Sequence, residues 1–232
     1  MRLVIFDVDG TLMRSTRLDE ACFVRALEEE FGIVGVDTNW SGYTHSTDSG
    51  ISREVFERRF GRPPLPAELS RFQQRFVGQL ERALRETPGC CDEVPGARAA
   101  LAALHRHAVW AAAIATGSWR ALALRKLHAA GLPIDGFPAA FADDGISREE
   151  ILQTAMERAR RQYAQSAFQR VVYIGDAVWD VRAAARLRLS FIGIGEQRRA
   201  AVLQQEGARR VLRDLSDVDL LLRLLDEAPV PG

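Results

Sequence analysis

The sequence is poor in lysine and carries no net charge. Lys126 is the only lysine among 232 residues, and 31 basic residues balance 31 acidic ones. A chain without an excess of positive charge lacks the electrostatic footprint of proteins that bind nucleic acid or anionic membranes. We therefore expect neither as the main partner. The scarcity of lysine also narrows the choice of cationic side chains for catalysis.

Cysteines and long apolar runs are also few. Cys22, Cys90 and Cys91 are odd in number and two are adjacent, which suits neither a disulfide framework nor a zinc site. The apolar run at residues 3–6 is shorter than the hydrophobic region of a signal peptide, and no run is long enough to span a bilayer. Hydrophobic residues make up 47% and charged residues 27% of the chain, the balance of a soluble globular enzyme. We therefore expect a reducing, cytoplasmic location.

Short apolar segments alternate with helical patterns in much of the chain. The first such segment, at residues 3–8, is typical of a strand buried on both faces. Similar runs recur at Val109–Ala115, Ala139–Ala142, Val171–Ile174 and Leu189–Ile194. Helical patterns separate the later runs, at Ser118–Ala130, Glu149–Arg161 and Asp180–Leu187. Ser147 and Glu150 predict a capping box at the start of the second of these helices. This alternation predicts an α/β fold, a doubly wound, Rossmann-like parallel sheet.

The stretch from Met13 to Gly96 interrupts the alternation. It contains three helical patterns, at Asp19–Phe31, Ser52–Phe60 and Ala67–Arg85. Turn residues at Thr87-Pro88-Gly89 and Pro95-Gly96 mark its exit. We interpret residues 14–94 as a helical insert that follows the first strand, and residues 1–13 and 95–232 as the α/β core.

The strongest chemical motif is Asp7-Val8-Asp9-Gly10-Thr11-Leu12, directly after the first strand. Open α/β sheets bind ligands at this end of a strand, and Gly10 permits a sharp turn close to an anion. A plain turn is the alternative, because Asp and Gly are common turn residues. A turn does not explain two acids crowded at the end of a hydrophobic strand, which repel each other unless a cation or a proton is shared.

This segment resembles the first motif, DxDGT, of the haloacid dehalogenase-like hydrolase superfamily, and the resemblance covers nearly the whole chain. It implies a phosphatase with a helical cap domain at residues 14–94, similar to phosphoglycolate phosphatases. The resemblance further implies that Asp7 attacks phosphorus to form an aspartyl-phosphate. It also implies that Asp9 protonates the leaving oxygen and then deprotonates the attacking water. Gly10 and Thr11 are expected to contact the substrate.

A second element, Thr116-Gly117-Ser118, follows the second apolar run and opens a helix. A hydroxyl and two backbone amides at a helix N-terminus form a natural cradle for phosphate. The resemblance places the family's second motif at Thr116, and we expect Gly117 and Ser118 to bind substrate. A simple helix cap is the alternative.

The segment Gly175-Asp176-Ala177-Val178-Trp179-Asp180 matches the family's GDxxxD form. Magnesium prefers hard oxygen ligands, usually a few carboxylates with water and a phosphate oxygen. The resemblance implies that Asp7, Asp176 and the backbone carbonyl of Asp9 bind Mg²⁺. Asp180 is expected to hold a water bound to the metal or to orient a ligand. The alternative for Asp180 is an acid favoured by the helix dipole.

The family normally has a lysine or arginine between these motifs, which offsets the charge of the nucleophile and the phosphate. Lys126 lies too early in the chain for the usual position, whereas Arg148 follows the third apolar run at a helix start. We therefore predict that Arg148 is the catalytic cation, since arginine stays charged and donates in a fork. An exposed arginine at a helix start is the alternative.

Within the helical insert, the polar segment Gly42–Gly50 stands between two helical patterns. His45 is a candidate for binding an anionic substrate. A solvated loop in which Thr47 or Asp48 caps a helix is an equally good interpretation. Phe72, Phe76 and Leu80 have helical spacing and are expected to be core residues.

These observations predict Mg²⁺-dependent hydrolysis of a small phosphorylated metabolite by a monomer or homodimer. A sugar-phosphate mutase that uses the same Asp7 and Asp9 is one alternative. A non-catalytic binding protein on the same fold is another, although a binder need not keep both acids. The insert contains no lysine for the Schiff base of a phosphonatase, and dehalogenases lack the second aspartate.

Overall fold

The computed structural model describes residues 1–87, 89–132 and 134–232. Pro88, which was expected to mark the exit from the helical insert, lies outside the described residues. Within them, no helix combines the length and the apolar character needed to cross a membrane.

A parallel sheet forms the centre of the described structure. The strands in chain order are β1 (Arg2–Phe6), β2 (Met13–Arg14), β3 (Asp92–Glu93), β4 (Trp110–Ala115), β5 (Ala139–Ala140), β6 (Val171–Gly175), β7 (Ser190–Ile194) and β8 (Val211–Leu212). Six of these form the parallel sheet in the order β5-β4-β1-β6-β7-β8, while β2 and β3 pair antiparallel. The predicted α/β fold is confirmed. Strands β2, β3 and β8 were not predicted, because their two residues lie in no continuous apolar run, unlike those of β5 within Ala139–Ala142.

Helices cover both faces of this sheet. In chain order the α-helices of the described residues are α1 (Thr16–Phe31), α2 (Asp48–Phe60), α3 (Pro66–Glu86), α4 (Ala97–His105), α5 (Arg120–Ala129), α6 (Arg148–Gln162), α7 (Val178–Arg186), α8 (Gln197–Gln205) and α9 (Val218–Glu227). Of these, α4 to α9 flank the sheet. Val4 and Phe6 of β1 pack against α4, α5 and α9, whereas Leu3 and Ile5 pack against α6, α7 and α8. All four side chains are fully buried, which explains the continuous apolar run at the start of the chain.

Helices α1, α2 and α3 form the helical insert, and the β2–β3 pair joins its two ends. The insert has an aromatic core in which Phe23 makes edge-to-face contacts with Phe72 and Phe76, at 5.1 and 5.6 Å between ring centroids. Phe72, Phe76 and Leu80 are buried, as their spacing predicted. Trp119 from the core contacts Phe72 edge-to-face at 5.6 Å, so the insert packs directly on the core.

Candidate active site

Three neighbouring strands deliver side chains to one edge of the sheet. Asp7 follows β1, Thr116 follows β4, and Asp176 follows β6. Because β1 pairs in parallel with both β4 and β6, their carboxyl ends meet. Asp180 joins them from the first turn of α7. Oxygens of Asp7, Asp176 and Asp180 lie within 4.8 Å of one another, and all three residues are buried.

The close approach of the first and last motifs depends on Gly10. This residue has φ of +89°, a conformation that L side chains rarely adopt. A Cβ at this position would lie 2.0 Å from Oδ2 of Asp176. Glycine is therefore required here so that the loop after β1 can pass beside the carboxylate at the end of β6.

The three clustered acids have raised pKa values. Burial raises the pKa of Asp7 well above its ordinary value, against the opposing charge of Arg148, and Asp180 and Asp176 raise it further. Burial likewise raises the pKa of Asp176 to about 7, partly offset by Arg199, whose Nη1 lies 2.7 Å from Oδ2 of Asp176. Crowded buried carboxylates of this kind favour either a proton or a bound cation. Carboxylate oxygens are also the donors that hard divalent cations prefer, so this cluster fits such an ion.

Arg148 contacts the first aspartate of the motif. Its Nη1 lies 2.7 Å from Oδ1 of Asp7 and 3.7 Å from Oδ1 of Asp180. The arginine is the first residue of α6, whose N-cap Ser147 forms the predicted capping box with Glu150. A Cβ on Gly117 would lie 2.8 Å from Nη2 of Arg148, so glycine leaves room for the guanidinium. The structure thus brings Arg148 to Asp7, while its catalytic role stays a prediction.

Asp9 lies in a different environment from Asp7. Its Oδ1 accepts hydrogen bonds from Ser15 and from Nζ of Lys126, the latter at 2.6 Å, and its Oδ2 accepts one from Oγ of Ser118 at 3.1 Å. Burial alone would raise the pKa of Asp9, but Lys126 and the two hydroxyls stabilise the carboxylate and hold the pKa below its ordinary value.

Lys126 is fully buried and is shared between two acids. Besides Asp9, its Nζ contacts a carboxylate oxygen of Asp19 in α1 and lies 2.9 Å from Oγ of Ser118. Although burial alone lowers the pKa of a lysine, Asp19 and Asp9 raise the pKa of Lys126 above its usual value. The sequence analysis set Lys126 aside because of its position in the chain, and the structure brings it into the site.

Sequence reasoning missed both Lys126 and Asp19, yet a signal was present for each. In α5 the buried residues are Leu122, Ala123, Lys126 and Leu127, so the lysine occupies an apolar face at helical spacing. Asp19 likewise precedes Cys22 and Phe23, on the buried face of α1, by three and four residues. A charged residue on the buried face of a helix indicates a partner elsewhere in the fold.

Of the remaining predicted residues, Thr116 and Thr11 form hydrogen bonds within the site, whereas Gly117 and Ser118 line a cavity. Oγ1 of Thr116 accepts a hydrogen bond from the backbone N–H of Ser118 at 3.1 Å, and Oγ1 of Thr11 donates to Oδ2 of Asp7 at 3.4 Å. Gly117 and Ser118 line the cavity between insert and core that is described below. His45, a predicted substrate contact, is not among the described residues that line this cavity.

The polar segment around His45 connects the insert to the core. Thr47 is the N-cap of α2 and accepts a hydrogen bond from the N–H of Gly50 at 3.0 Å, which is the capping alternative. This cap starts α2 four residues before the predicted Ser52. Asp48 accepts a hydrogen bond from the N–H of Trp119 at 2.8 Å and donates its own N–H to the carbonyl of Gly117 at 2.7 Å. Asp48 therefore holds this segment against the loop that follows β4.

A cavity of about 770 Å³ lies between the insert and the core. The core contributes Asp9, Gly117, Ser118, Arg148 and Asp176 to its walls. Its other side is formed by insert residues, including Arg17, Asp19, Glu20, Phe23, Asn39, Trp40 and Asp48. Charged and polar groups therefore line the cavity on both sides, with aromatic rings from the insert and Trp179 from the core.

Comparison with known proteins places the chain in a family. A family model described as haloacid dehalogenase-like hydrolase matches residues 1–188. No curated protein matches. A hydrolase from Pseudomonas syringae is 24% identical, with a TM-score of 0.72 over 98% of this chain and 99% of that one.

Two further solved structures share the fold. A candidate β-phosphoglucomutase from Bacteroides vulgatus is 20% identical, with a TM-score of 0.71 over 99% of this chain and 90% of that one. A variant of CbbY from Rhodobacter sphaeroides in complex with xylulose-1,5-bisphosphate is 19% identical, with a TM-score of 0.69 over 94% and 96% of the two chains. The chain belongs to the haloacid dehalogenase-like hydrolases.

Proposed function

We propose that the protein is a Mg²⁺-dependent phosphohydrolase that cleaves a small phosphomonoester through an aspartyl-phosphate on Asp7. The observation that carries this proposal is the placement of Asp7 and Asp9 at the end of the central strand β1, with Arg148 2.7 Å from Asp7. A nucleophile, an acid/base and a cation are the groups that such a reaction needs.

The proposed reaction has two halves, formation and hydrolysis of the aspartyl-phosphate, and Asp9 has a different role in each. In the first, a carboxylate oxygen of Asp7 forms a bond to phosphorus while the bond to the ester oxygen breaks, and Asp9 supplies the proton that the leaving oxygen requires. In the second, Asp9 takes a proton from water as the water oxygen displaces Asp7 from phosphorus. Arg148 balances the negative charge that Asp7 and the phosphoryl group share. Splitting one displacement into two steps is the general advantage of a covalent intermediate.

Asp7, Asp176 and Asp180 are the residues that would hold the metal, with the backbone carbonyl of Asp9 as a further predicted ligand. Their carboxylate oxygens lie within 4.8 Å of one another and are buried, which suits a hard cation. When bound, Mg²⁺ polarises a phosphoryl oxygen and offsets the charge of the clustered acids.

The insert would act as the cap that selects the substrate, because it forms one side of the cavity of about 770 Å³. A space of this size and polarity suits a small phosphorylated metabolite. We also propose a cytoplasmic location and action as a monomer or homodimer.

A phosphate-release assay tests this function. Wild type and Asp7→Asn are compared over a panel of phosphorylated metabolites and p-nitrophenyl phosphate, with Mg²⁺ and after EDTA treatment. We expect wild type to release phosphate only with the metal and Asp7→Asn to release none above background. No release from any ester by wild type would support a binding protein instead.

The second candidate is a phosphoryl-transferring mutase, favoured by the fold shared with a candidate β-phosphoglucomutase. It would keep the phosphoryl group on Asp7 for transfer to a sugar hydroxyl rather than to water. Interconversion of sugar-phosphate isomers without release of phosphate would identify this activity.

A further inference from the structure

Lys126 is a buried cation to which the proposed mechanism gives no task. Arg148, at 2.7 Å from Asp7, already balances the charge of the nucleophile. The contacts of Lys126 lie instead with Asp9 at 2.6 Å, with Ser118 at 2.9 Å and with Asp19. Arg148 and Lys126 are therefore divided between the two key aspartates, Asp7 and Asp9.

The contacts of Lys126 restrain both oxygens of Asp9. Oδ1 is held directly by the ammonium, and Oδ2 accepts a hydrogen bond at 3.1 Å from Ser118, which itself accepts one from Lys126. An acid/base group must lie within hydrogen-bond reach of the proton that it transfers. A misplacement of about 1 Å can reduce a rate by about 10²-fold, so a fixed carboxylate matters for catalysis.

The same ammonium also connects Asp9 to the helical insert. Asp19 lies in the first turn of α1, whereas Lys126 lies in α5 of the core, so their ion pair crosses the boundary between insert and core. Asp19 and Asp9 both line the cavity, with Lys126 buried between them. The orientation of Asp9 is therefore linked to the position of α1 on the core.

We propose that Lys126 is a positioning residue that holds Asp9 for proton transfer and couples its orientation to α1 through Asp19. This inference rests on the proposed function, because it requires that Asp9 protonates the leaving oxygen. Lys126 acts through Asp9 and not on the substrate.

Two aryl phosphates of similar shape test this role. The p-nitrophenolate ion leaves readily without a proton at neutral pH, whereas phenolate, whose conjugate acid has a pKa of about 10 like that of tyrosine, gains from protonation. We measure kcat/KM with Mg²⁺ for p-nitrophenyl phosphate and phenyl phosphate, since this parameter reports the steps through cleavage of the ester. For Lys126→Met we expect a loss on phenyl phosphate that is at least about tenfold larger than the loss on p-nitrophenyl phosphate.

Removing one partner of a buried ion pair destabilises a fold, so two further variants accompany Lys126→Met. The double variant Lys126→Met with Asp19→Asn removes one of the two stranded charges and is expected to show the same selective loss. Asp19→Asn alone keeps the contact between Lys126 and Asp9 and is expected to show a smaller loss in the same direction. Thermal unfolding identifies the variants that are folded, and the ratio of kcat/KM values is read from those.

Arg125→Met is the matched control. Arg125 precedes Lys126 in α5 and also reaches the insert, through Glu81 at 2.6 Å, but its side chain is exposed. We expect it to keep the wild-type ratio of kcat/KM for the two esters.

Two results would overturn the inference. Equal losses on both esters in the folded variants would leave Lys126 with a structural role alone. A gain of activity on phenyl phosphate would mean that Lys126 hinders proton transfer from Asp9, either by restraining it away from the leaving oxygen or by keeping it ionised. Failure of the proposed function is separate, because it would be seen as an inactive wild type or an active Asp7→Asn.

Discussion

Asp7 and Asp9 are two residues apart in the sequence, yet their surroundings shift their pKa values in opposite directions. Asp7 lies among Asp176 and Asp180 with one arginine, and burial raises its pKa. Asp9 is held by a lysine and two hydroxyls, and its pKa is lowered. These shifts do not by themselves assign the two tasks, because a nucleophile reacts ionised and an acid reacts protonated. A cation held by Asp7, Asp176 and Asp180 would lower the pKa of Asp7 again. The contrast in surroundings comes from the partners that helices α5 and α6 bring to the loop.

Replacing each aspartate by asparagine tests this division most severely. Asp7→Asn should lower kcat by about 10⁴-fold or more, because an amide is a poor nucleophile and the groups at this centre act as a unit. Asp9→Asn should lower kcat by about 10²–10⁴-fold but still form the aspartyl-phosphate from p-nitrophenyl phosphate.

Stopped-flow measurement of p-nitrophenol checks this prediction. We expect a burst from Asp9→Asn and none from Asp7→Asn. A burst from Asp7→Asn, or turnover within tenfold of wild type, would contradict the covalent mechanism.

The response to Mg²⁺ should depend on the cluster of Asp7, Asp176 and Asp180, called the Asp7 side, and not on Asp9 and its partners, called the Asp9 side. Activity should be lost after EDTA treatment and return with Mg²⁺, while Ca²⁺ should be a poor substitute because it favours more ligands at longer distances. Asp180→Asn should weaken Mg²⁺ activation by about 10–100-fold, as loss of groups that support metal ligands does.

Asp19→Asn, on the Asp9 side, should keep the wild-type Mg²⁺ concentration for half activation. Titration of activity with Mg²⁺ measures both variants. Equal shifts in the two would remove the distinction between the sides, and full activity in EDTA would remove the metal from the proposal.

The Arg148–Asp7 contact should matter more for the rate than for stability, because the clustered acids left behind can share a proton or a bound cation. Arg148→Ala should cost about 3–4 kcal/mol in kcat/KM, the usual value of a donor that stabilises developing charge. Arg148→Lys keeps the charge but loses the fork, so it should retain more activity than alanine.

Arg53→Ala provides a control, because Arg53 is exposed and paired with Glu57 within α2. It should change the free energy of unfolding by under about 0.5 kcal/mol and leave the rate unchanged. Near-normal kcat/KM in Arg148→Ala would show that another cation balances the negative charge of Asp7 and the phosphoryl group.

Single hydrogen bonds on the Asp9 side should have the smallest effect. Ser15→Ala removes one of the donors to Asp9 but leaves Lys126 and Ser118 in place. We expect a loss of about 1.5 kcal/mol, roughly tenfold in kcat/KM, which is the lower end for hydrogen bonds to charged groups. A loss of kcat/KM as large as that of Arg148→Ala would mean that Asp9 depends on Ser15 alone and is not held jointly by its three donors.

Several elements of the fold could be read directly from local patterns. The apolar runs located β1, β4, β6 and β7 to within two residues of their ends, because strands buried on both faces are continuously apolar. Ser147 and Glu150 located the start of α6 through a capping box. The two-residue strand β8 and the early start of α2 at Asp48 were missed, since neither has a distinctive run of its own.

The sequence by itself determined that Asp7, Asp9, Asp176 and Asp180 follow strands or open helices. Because β1 and β6 pair in parallel, the ends of these strands and the acids that follow them lie together. Only the tertiary structure decided which cation meets which acid. Lys126 and Asp9 are 117 positions apart, and their contact depends on how α5 packs against the sheet. Local patterns mark a buried charge, but its partner is fixed by the packing of distant elements.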